Sequence, residues 1–332
     1  MQYFSFCIEQ LDLAATQLKT KTPAFGRFAL LLTDNIVELM LHEQCKHEMQ
    51  WDEMWDKLGK GKYGPVIRQK VLGQYFDEKI KFCHKIGKVT KDESDLVLIS
   101  HKYRNELYHT GIKYDELIYP LAWVYHDLAC NFFERFRRGF VRYGSDDKFT
   151  DVVTRHLGEI KGAFGNIDDQ IMMAAKSLRD IKPPLKTPFS DVISQFAINK
   201  IEAIQADIEF LVKDNPRQFS EKEILEEIQF HDFFIGIDSP FRDELAKCSS
   251  SVEMMTISEN ARQTWKPKHR NNPTARWIKR AVKLRQEKSV VDVMRKFEQL
   301  RQEAALLERI ANEAAIQLDG WIQHQIDVAR GK

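Results

Sequence analysis

Apolar residues recur every three or four positions along most of this 332-residue sequence, and this spacing limits the fold more than any other feature. It is the period of one face of an α-helix, whereas a half-buried strand alternates with a period of two. Glycine and proline, which interrupt helices, number only 15 and 10. The sequence therefore predicts an all-α fold. The clearest run of this spacing is Ala197, Ile201, Ile204, Ile208 and Leu211.

A polar, turn-rich stretch at residues 142–150, with the sequence RYGSDDKFT, interrupts the helical pattern near the middle of the chain. A chain of this length typically forms about two domains. We therefore expect one helical domain over residues 1–141 and a second helical domain over residues 151–332.

Charge and composition limit the class of protein. The net charge is +1, so a nucleic-acid site must be a local patch rather than the whole surface. The five cysteines show no CxxC spacing, which indicates free thiols and a reducing cytoplasm. The N-terminal residues do not have the form of a signal peptide, and no apolar run approaches the ~20 residues of a membrane span. We expect a cytoplasmic protein that does not bind a membrane.

The stretch from Thr90 to Gly111 carries signals for both ends of a helix. Thr90, followed three positions later by Glu93, forms a capping box, and Gly111 is a favourable C-terminal stop. An apolar stripe lies between them, so the sequence predicts a helix with one buried face. The stripe consists of Leu96, Ile99, Tyr103 and Leu107.

Arg104, Asn105 and His109 lie in the last turns of this predicted helix. A guanidinium can bind a phosphate through two parallel hydrogen bonds and offset charge in a transition state. An imidazole titrates near neutral pH, so His109 can take a proton from a ribose 2′-hydroxyl or return one to a leaving oxygen. Asn105 can hold the imidazole or the phosphate. The combination is typical of phosphodiester cleavage, although the helix dipole alone also favours cations at a C-terminus.

The spacing of this pair sets a geometric condition. On an ideal helix Arg104 and His109 point about 140° apart. They converge only if the helix loosens near His109 or if the long Arg104 side chain reaches round it. Asp34 and Glu38, four positions apart on an earlier predicted helix, can line a groove near Arg104 or form an ordinary ion-paired surface.

The string RNELYH at residues 104–109 resembles the signature of the HEPN superfamily. That signature is an Arg, a polar residue that is often Asn, and a His after a short gap, near the end of one helix of a small all-α bundle. Helices predicted at about residues 23–53, 65–84 and 115–138 fit the same order. The resemblance covers roughly residues 1–140.

This resemblance implies a metal-independent endoribonuclease without a cofactor, of a kind that often acts as a toxin or antiviral defence effector. It also implies a homodimer through the HEPN-like domain, with two sets of Arg104, Asn105 and His109 in one basic cleft. His109 would be the general acid or base, Arg104 would bind the phosphoryl group, and cleavage would leave a 2′,3′-cyclic phosphate. Other members have lost activity, so the alternative is a non-catalytic scaffold or regulatory binding protein. An antitoxin or other partner protein is implied by the resemblance alone.

One group of residues has the composition of a metal site. Glu38, His42, Cys45 and His47 lie close together in sequence. However, Glu38 and His42 form a common helix surface pair, and His47 is rotated away from the others. The sequence therefore predicts no metal site.

A helix predicted over residues 112–140 carries more aromatic residues than one buried stripe requires. We interpret the excess as a second apolar face that contacts another chain in the homodimer, with a larger core within one chain as the alternative. The residues concerned are Trp123, Tyr125, Phe133 and Phe136.

A basic segment at residues 262–288 includes Arg276, Lys279 and Arg280, at spacings of three and four. Positive charge at a helix N-terminus opposes the dipole, so an anionic group should face it. RNA phosphates would satisfy this condition, as would an acidic partner within the chain such as residues 221–227.

Aromatic residues accompany these charges. Trp265 and Trp277 are interleaved with the basic residues and could stack on RNA bases. In the first domain, Lys102 and Tyr108 flank Arg104 and are also expected to contact RNA.

The C-terminal part of the chain predicts one long helix over residues 273–329. Asn272 is a favourable N-cap and Pro273 a favourable first residue. From Val293 to Trp321 the apolar residues keep a strict heptad alternation, which is typical of coiled-coil packing. This helix can pair with the helix around residues 197–211 or with a second chain.

Overall fold

The computed structural model describes the backbone of residues 2–110, 115–136, 149–158 and 167–331, and all side chains in these ranges except those of residues 108–110, 115 and 167. Every regular element in these ranges is helical, which confirms the predicted all-α class. The first eight helices are α1 Gln2–Lys19, α2 Pro23–Asp56, α3 Pro65–Leu72, α4 Phe76–Lys85, α5 Lys91–Thr110, α6 Asp115–Arg135, α7 Asp151–Leu157 and α8 Ile167–Ile181. The others are α9 Phe189–Lys213, α10 Glu221–Ile235, α11 Arg242–Leu245, α12 Ser251–Thr264, α13 Thr274–Lys283, a short 3₁₀ helix Leu284–Gln286, and α14 Val290–Ala329.

The chain divides into two compact units. The first comprises Met1–Val192 together with Lys288–Arg295, and the second comprises Ile193–Glu287 with Lys296–Lys332. In the first unit, α7 and α8 pack against α1, and α8 also packs against α6. The division therefore comes after α8, later than the boundary predicted at residues 142–150, most of which lie outside the described residues.

The core of the first unit lies where α2 packs against α1 and α6. Apolar residues at helical spacing on these helices are turned inward, and Leu11, Leu30 and Phe132 are fully buried. At Gly26 the backbones of α2 and α6 come so close that a Cβ atom would lie 3.0 Å from the Cα atom of Tyr119. A side chain at Gly26 would force the two helices apart, because protein interiors have no spare volume for it.

The aromatic residues of α6 belong to this core. Tyr125, Phe133 and Phe136 are buried within the chain. Trp123 is half-buried, and its indole N–H donates to the carbonyl of Pro183 over 2.8 Å. The expectation that these residues contact another chain is therefore wrong, because they are packed within one chain and enlarge its core.

In the second unit the predicted stripe of α9 is buried. Ala197, Ile201, Ile204, Ile208 and Leu211 are at most a few per cent exposed, as their spacing indicates. The heptad stripe of α14 is likewise buried from Phe297 to Ala311, within the chain. Farther along α14, Trp321 is 48 % exposed.

The long helix predicted over residues 273–329 is interrupted. Helix α13 ends at Lys283, the 3₁₀ helix follows, and α14 begins only at Val290. The restart has a local cause, because the side-chain oxygen of Ser289 accepts a hydrogen bond from the Asp292 backbone N–H over 3.3 Å. Asn272 does act near the start of α13, where its side chain accepts from the Thr274 backbone N–H over 3.0 Å.

Within the described part of the chain, no helix combines the length and the apolar character needed to cross a bilayer.

Candidate functional site

Helix α5, which carries the predicted site, is anchored at its first turn. The capping box is present, since the Thr90 N–H donates to Glu93 over 2.9 Å and the Glu93 N–H donates to the Thr90 hydroxyl over 3.2 Å. Arg295 donates to Asp95 over 2.6 Å and to Asp92 over 2.7 Å. These contacts fix where α5 starts and how it is rotated.

The same helix keeps its α-helical backbone through Thr110. Loosening near His109, one of the two ways in which His109 was expected to reach Arg104, is therefore not seen in the backbone. The two residues remain about 140° apart around the helix axis. The side chains of His109 and Tyr108, and the predicted stop Gly111, lie outside the described residues.

Arg104 is held by neighbours on two helices. Its Nε atom lies 3.4 Å from the Asp34 Oδ2 atom on α2, and the side chain is 28 % exposed. Its NH1 atom donates to the side-chain oxygen of Asn105 over 2.9 Å. Asn105 thus orients the guanidinium. Asp34 lies beside Arg104, but it is fully buried, so it neither lines a groove nor forms part of an ion-paired surface.

The imidazole that shares a partner with Arg104 is that of His101, one turn earlier on α5. The His101 Nδ1 atom lies 2.9 Å from Asp34 Oδ2, and the ring stacks on Phe76 of α4 at 4.1 Å between centroids. The sequence analysis missed His101. The only local signal was its position three residues before Arg104, which places both side chains on adjacent parts of one helix face.

Asp34 links three helices through its carboxylate. The side chain is fully buried, and the Tyr125 hydroxyl on α6 donates to Oδ1 over 3.0 Å. Burial raises the pKa of Tyr125 well above its usual value, and the adjacent Asp34 charge raises it further. Tyr125 therefore stays protonated at neutral pH and remains a hydrogen-bond donor to the carboxylate.

A cleft of about 580 Å³ opens beside His101. Its charge is mixed rather than basic, because carboxylates line it together with two lysines. Tyr75 stands at this cleft with 65 % of its surface exposed. The lining residues with ionisable side chains are Glu38, Lys70, Asp77, Glu78, Lys81 and His101.

The remaining predicted RNA contacts differ in exposure. Lys102 is half-buried on α5, whereas Arg276 and Lys279 on α13 are exposed. Arg280 is already paired within the chain, since its NH2 atom donates to Glu303 on α14 over 3.0 Å. The acidic partner within the chain therefore exists for Arg280, although it is Glu303 rather than a residue of the 221–227 stretch.

The two tryptophans of the basic segment pack against other residues of the second unit. Trp277 is fully buried, so it cannot stack on an RNA base in this conformation. Trp265 packs against Phe230 at 5.4 Å between ring centroids. The expectation that these residues stack on RNA is wrong for Trp277, because its side chain fills the core of the unit.

The residues weighed as a metal site have other partners. The Cys45 Sγ atom lies 3.6 Å from the Cys83 Sγ atom, and both thiols are buried. His47 accepts a hydrogen bond from the Trp51 indole N–H over 2.9 Å. Among the described residues, no group of three or more His, Cys, Asp or Glu side chains is placed to hold a metal ion.

A larger cavity of about 720 Å³ lies in the second unit, between the end of α9, α10 and α14. Its lining is mainly apolar, and its rim carries an ion pair in which Arg309 donates to Asp232 over 2.8 Å. None of the residues predicted to act in the site lines it. Arg104 does not line the cleft beside His101 either, but the Arg104 and His101 side chains contact the same Asp34 oxygen. We therefore place the candidate site at that cleft.

The chain matches no model of a known protein family, and comparison with curated proteins and with solved structures gives no significant match. The likeness to the HEPN superfamily consequently rests on residues 104–109 and on the helical surroundings of that string.

Proposed function

We propose that this protein is a metal-independent endoribonuclease of the HEPN kind that acts as a homodimer. The observation that supports the proposal best is the placement of Arg104. Its guanidinium is fixed by Asp34 and Asn105 but remains partly exposed, near the end of the helix that also carries His109. A fixed, partly exposed guanidinium can bind a phosphate at little entropic cost and stabilise charge that develops during cleavage.

The geometry of α5 supports the proposal of a homodimer. In one chain the helix turns Arg104 and His109 about 140° apart, and Arg104 is directed toward Asp34. Two α5 helices that face each other across a two-fold axis would bring the Arg104 of one chain near the His109 of the other. The groove is then formed by both chains, and neither chain is active alone.

The chemistry needs no metal ion in this scheme. The ribose 2′-oxygen attacks the phosphorus, the bond to the 5′-oxygen breaks, and the products are a 2′,3′-cyclic phosphate and a 5′-hydroxyl. Arg104 offsets the charge on the phosphoryl oxygens, and His109 transfers a proton as general acid or base.

The test is cleavage of single-stranded RNA in the presence of EDTA. Wild type should cleave and leave 2′,3′-cyclic ends, whereas Arg104→Ala should lower the rate by about 10²–10³-fold and His109→Ala by about 10²–10⁴-fold. Arg330→Ala and His324→Ala, at exposed positions near the C-terminus, serve as controls. Equal rates for all five proteins would refute the proposal.

Complementation tests the dimer. Arg104→Ala and His109→Ala chains, each inactive alone, should regain part of the activity when mixed, because a mixed dimer keeps one guanidinium and one imidazole in its groove. No recovery in a mixture shown by mass spectrometry to contain mixed dimers would refute the shared groove.

One observation favours a second candidate, a non-catalytic RNA-binding or regulatory protein. The contacts of Arg104 with Asp34 and Asn105 are also those of a structural residue. Such a protein would bind RNA in the same assay without cleaving it, and the Arg104→Ala variant would lose stability rather than rate.

A further inference from the structure

The geometry around His101 is that of an imidazole prepared for proton transfer. A carboxylate can only accept hydrogen bonds, so the 2.9 Å contact with Asp34 assigns the proton to the His101 Nδ1 atom. In the neutral ring this leaves Nε2 with a lone pair. Asp34 is itself fixed by the Tyr125 hydroxyl and fully buried, so it holds the ring in one orientation.

The ring is also fixed from the side. It lies nearly parallel to the Phe76 ring, with an angle of 16° between the two planes. The His101 side chain is 17 % exposed, and it lines the cleft of about 580 Å³. Within the described part of the chain, the Nε2 atom has no hydrogen-bond partner.

Arg104 lies directly beside this imidazole. The Arg104 Nε atom and the His101 Nδ1 atom both contact Asp34 Oδ2, at 3.4 and 2.9 Å. A phosphate bound by the guanidinium would therefore lie close to the cleft that His101 lines. The arrangement places a phosphate-binding group and a proton acceptor at one position, which is what attack by a ribose hydroxyl requires.

We propose that His101 is a second catalytic residue of the proposed ribonuclease and takes the proton from the ribose 2′-hydroxyl. The 2′-oxygen then forms a bond to phosphorus, and the bond from phosphorus to the 5′-oxygen breaks. The His109 of the other chain in the homodimer donates the proton that the 5′-oxygen needs. The proton accepted by His101 returns to solvent, so the cycle needs no oxidant, metal ion or other co-reactant. This inference rests on the proposed function.

The two imidazoles come from different chains of the proposed homodimer. On a regular helix His101 lies about 80° from the His109 of its own chain and about 12 Å from it along the axis, so one chain does not bring both rings to one phosphate. In-line displacement places the base and the acid on opposite sides of the phosphorus. His101 and Arg104 of one chain therefore act together with the His109 of the other chain.

The decisive variant is His101→Asn. The Asn side-chain N–H can replace the Nδ1 donor toward Asp34, which preserves the fold, but Asn has no atom that replaces Nε2 as a base. His324→Asn, at an exposed position, is the matched control. Each full-length protein is assayed in EDTA with single-stranded RNA and with nucleoside 3′-(4-nitrophenyl phosphates) of the four bases, whose leaving group needs no proton.

His101→Asn should lower the rate on both substrates by about 10²–10⁴-fold, because the 2′-hydroxyl must be deprotonated in each reaction. His109→Ala should be slow on RNA but close to wild type on the nitrophenyl esters. The rise of the wild-type rate with pH on the acid side should also be missing in His101→Asn. A purely structural role for His101 would leave that pH profile and the substrate comparison unchanged.

Two results would overturn the inference alone. One is a His101→Asn protein as active as wild type, and the other is a His101→Asn protein whose rate is restored on the nitrophenyl esters. Failure of wild type to cleave either substrate would instead overturn the proposed function, and this inference with it. If His101→Asn does not fold, the imidazole ¹⁵N resonances of wild type decide. Nε2 of His101 must shift on saturation with nucleoside 2′,3′-cyclic phosphates, and an unchanged resonance refutes the contact.

Discussion

The Tyr125 hydroxyl donates a 3.0 Å hydrogen bond to the Asp34 carboxylate in a part of the core where both side chains are fully buried. This bond joins α6 to α2. Because the same carboxylate also contacts His101 and Arg104 on α5, the candidate site depends on a buried interaction outside the cleft.

Tyr125→Phe should lower the free energy of unfolding by about 1–3 kcal/mol, because it leaves a buried carboxylate oxygen without its donor. In an Asp34→Ala background the same change should cost less, and the difference measures the coupling between the two residues. Urea denaturation of the four proteins provides these values. Tyr75→Phe, at a position 65 % exposed, is the control. An equal cost at both tyrosines would show that the buried bond adds nothing.

The stability of the first unit should fall in mild acid because of His126. This ring is fully buried, and its Nε2 atom lies 3.0 Å from the Leu11 carbonyl oxygen, to which a neutral ring donates. Burial lowers the pKa of His126 to about 3, and the positive charge of Lys182 contributes. The unfolded chain takes up a proton below its ordinary pKa of about 6.5, whereas the folded chain does not until far lower pH.

This difference makes the contribution of His126 fall by about 2 kcal/mol between pH 7 and pH 5. His126→Gln keeps a donor for Leu11 and has no charge to gain, so its loss of stability over this range should be smaller than that of wild type by that amount. Urea denaturation at both pH values measures it. His324→Gln, an exposed control, should behave as wild type. Parallel curves for all three proteins would contradict the prediction.

The stability contributed by the ion pair between Arg295 and Asp95 at the start of α5 should also depend on pH, in a lower range. Burial alone would raise the pKa of Asp95, but hydrogen bonds and positive charge from Lys91 and Arg295 outweigh it, and the pKa lies below its ordinary value. Arg295→Ala should therefore cost about 1–2 kcal/mol at pH 7. The cost should begin to fall as the pH drops below the ordinary Asp pKa of about 4, and it should disappear only at still lower pH, where Asp95 takes up a proton in the folded state.

Thermal unfolding of Arg295→Ala and wild type between pH 7 and pH 3 tests this sign. Arg330→Ala is the control, since Arg330 is exposed and its side chain has no ion pair among the described residues. If the loss of stability caused by Arg295→Ala grows on acidification, Arg295 does not stabilise α5 through the charge of Asp95.

The basic residues of α13 should separate into two classes. Arg276→Ala and Lys279→Ala should weaken binding of single-stranded RNA and lower the slope of log affinity against log salt by about 0.7 for each lost phosphate contact. Arg280→Ala should mainly lower stability, because Arg280 is the chief cause of the lowered pKa of Glu303 and donates to it. Fluorescence anisotropy in a salt series and thermal unfolding measure the two effects. An unchanged salt slope in Arg276→Ala and Lys279→Ala would exclude RNA binding by this segment.

Features with a local cause could be predicted from the sequence. The capping box of α5 depends on Thr90 and Glu93, three positions apart, and forms as predicted. The buried stripe of α9 follows from its spacing alone. The break after α13 was missed, because residues 284–289 contain neither glycine nor proline and the restart depends on Ser289 alone.

Features that depend on distant partners could not be predicted. The His101 ring is oriented by its contact with Asp34, which lies 67 positions earlier in the sequence. The aromatic residues of α6 indicate that this helix has a wide apolar surface. Their spacing does not indicate that α1 and α8 of the same chain cover that surface.

Arg295 completes the start of α5 from a position 200 residues farther along the chain. The segment Lys288–Arg295 belongs to the first compact unit although the second unit is encoded before it. An expression fragment that stops at residue 192 would consequently lose the arginine that secures α5. A premature stop codon anywhere before codon 295 would likewise weaken the candidate site as well as remove the C-terminal helix.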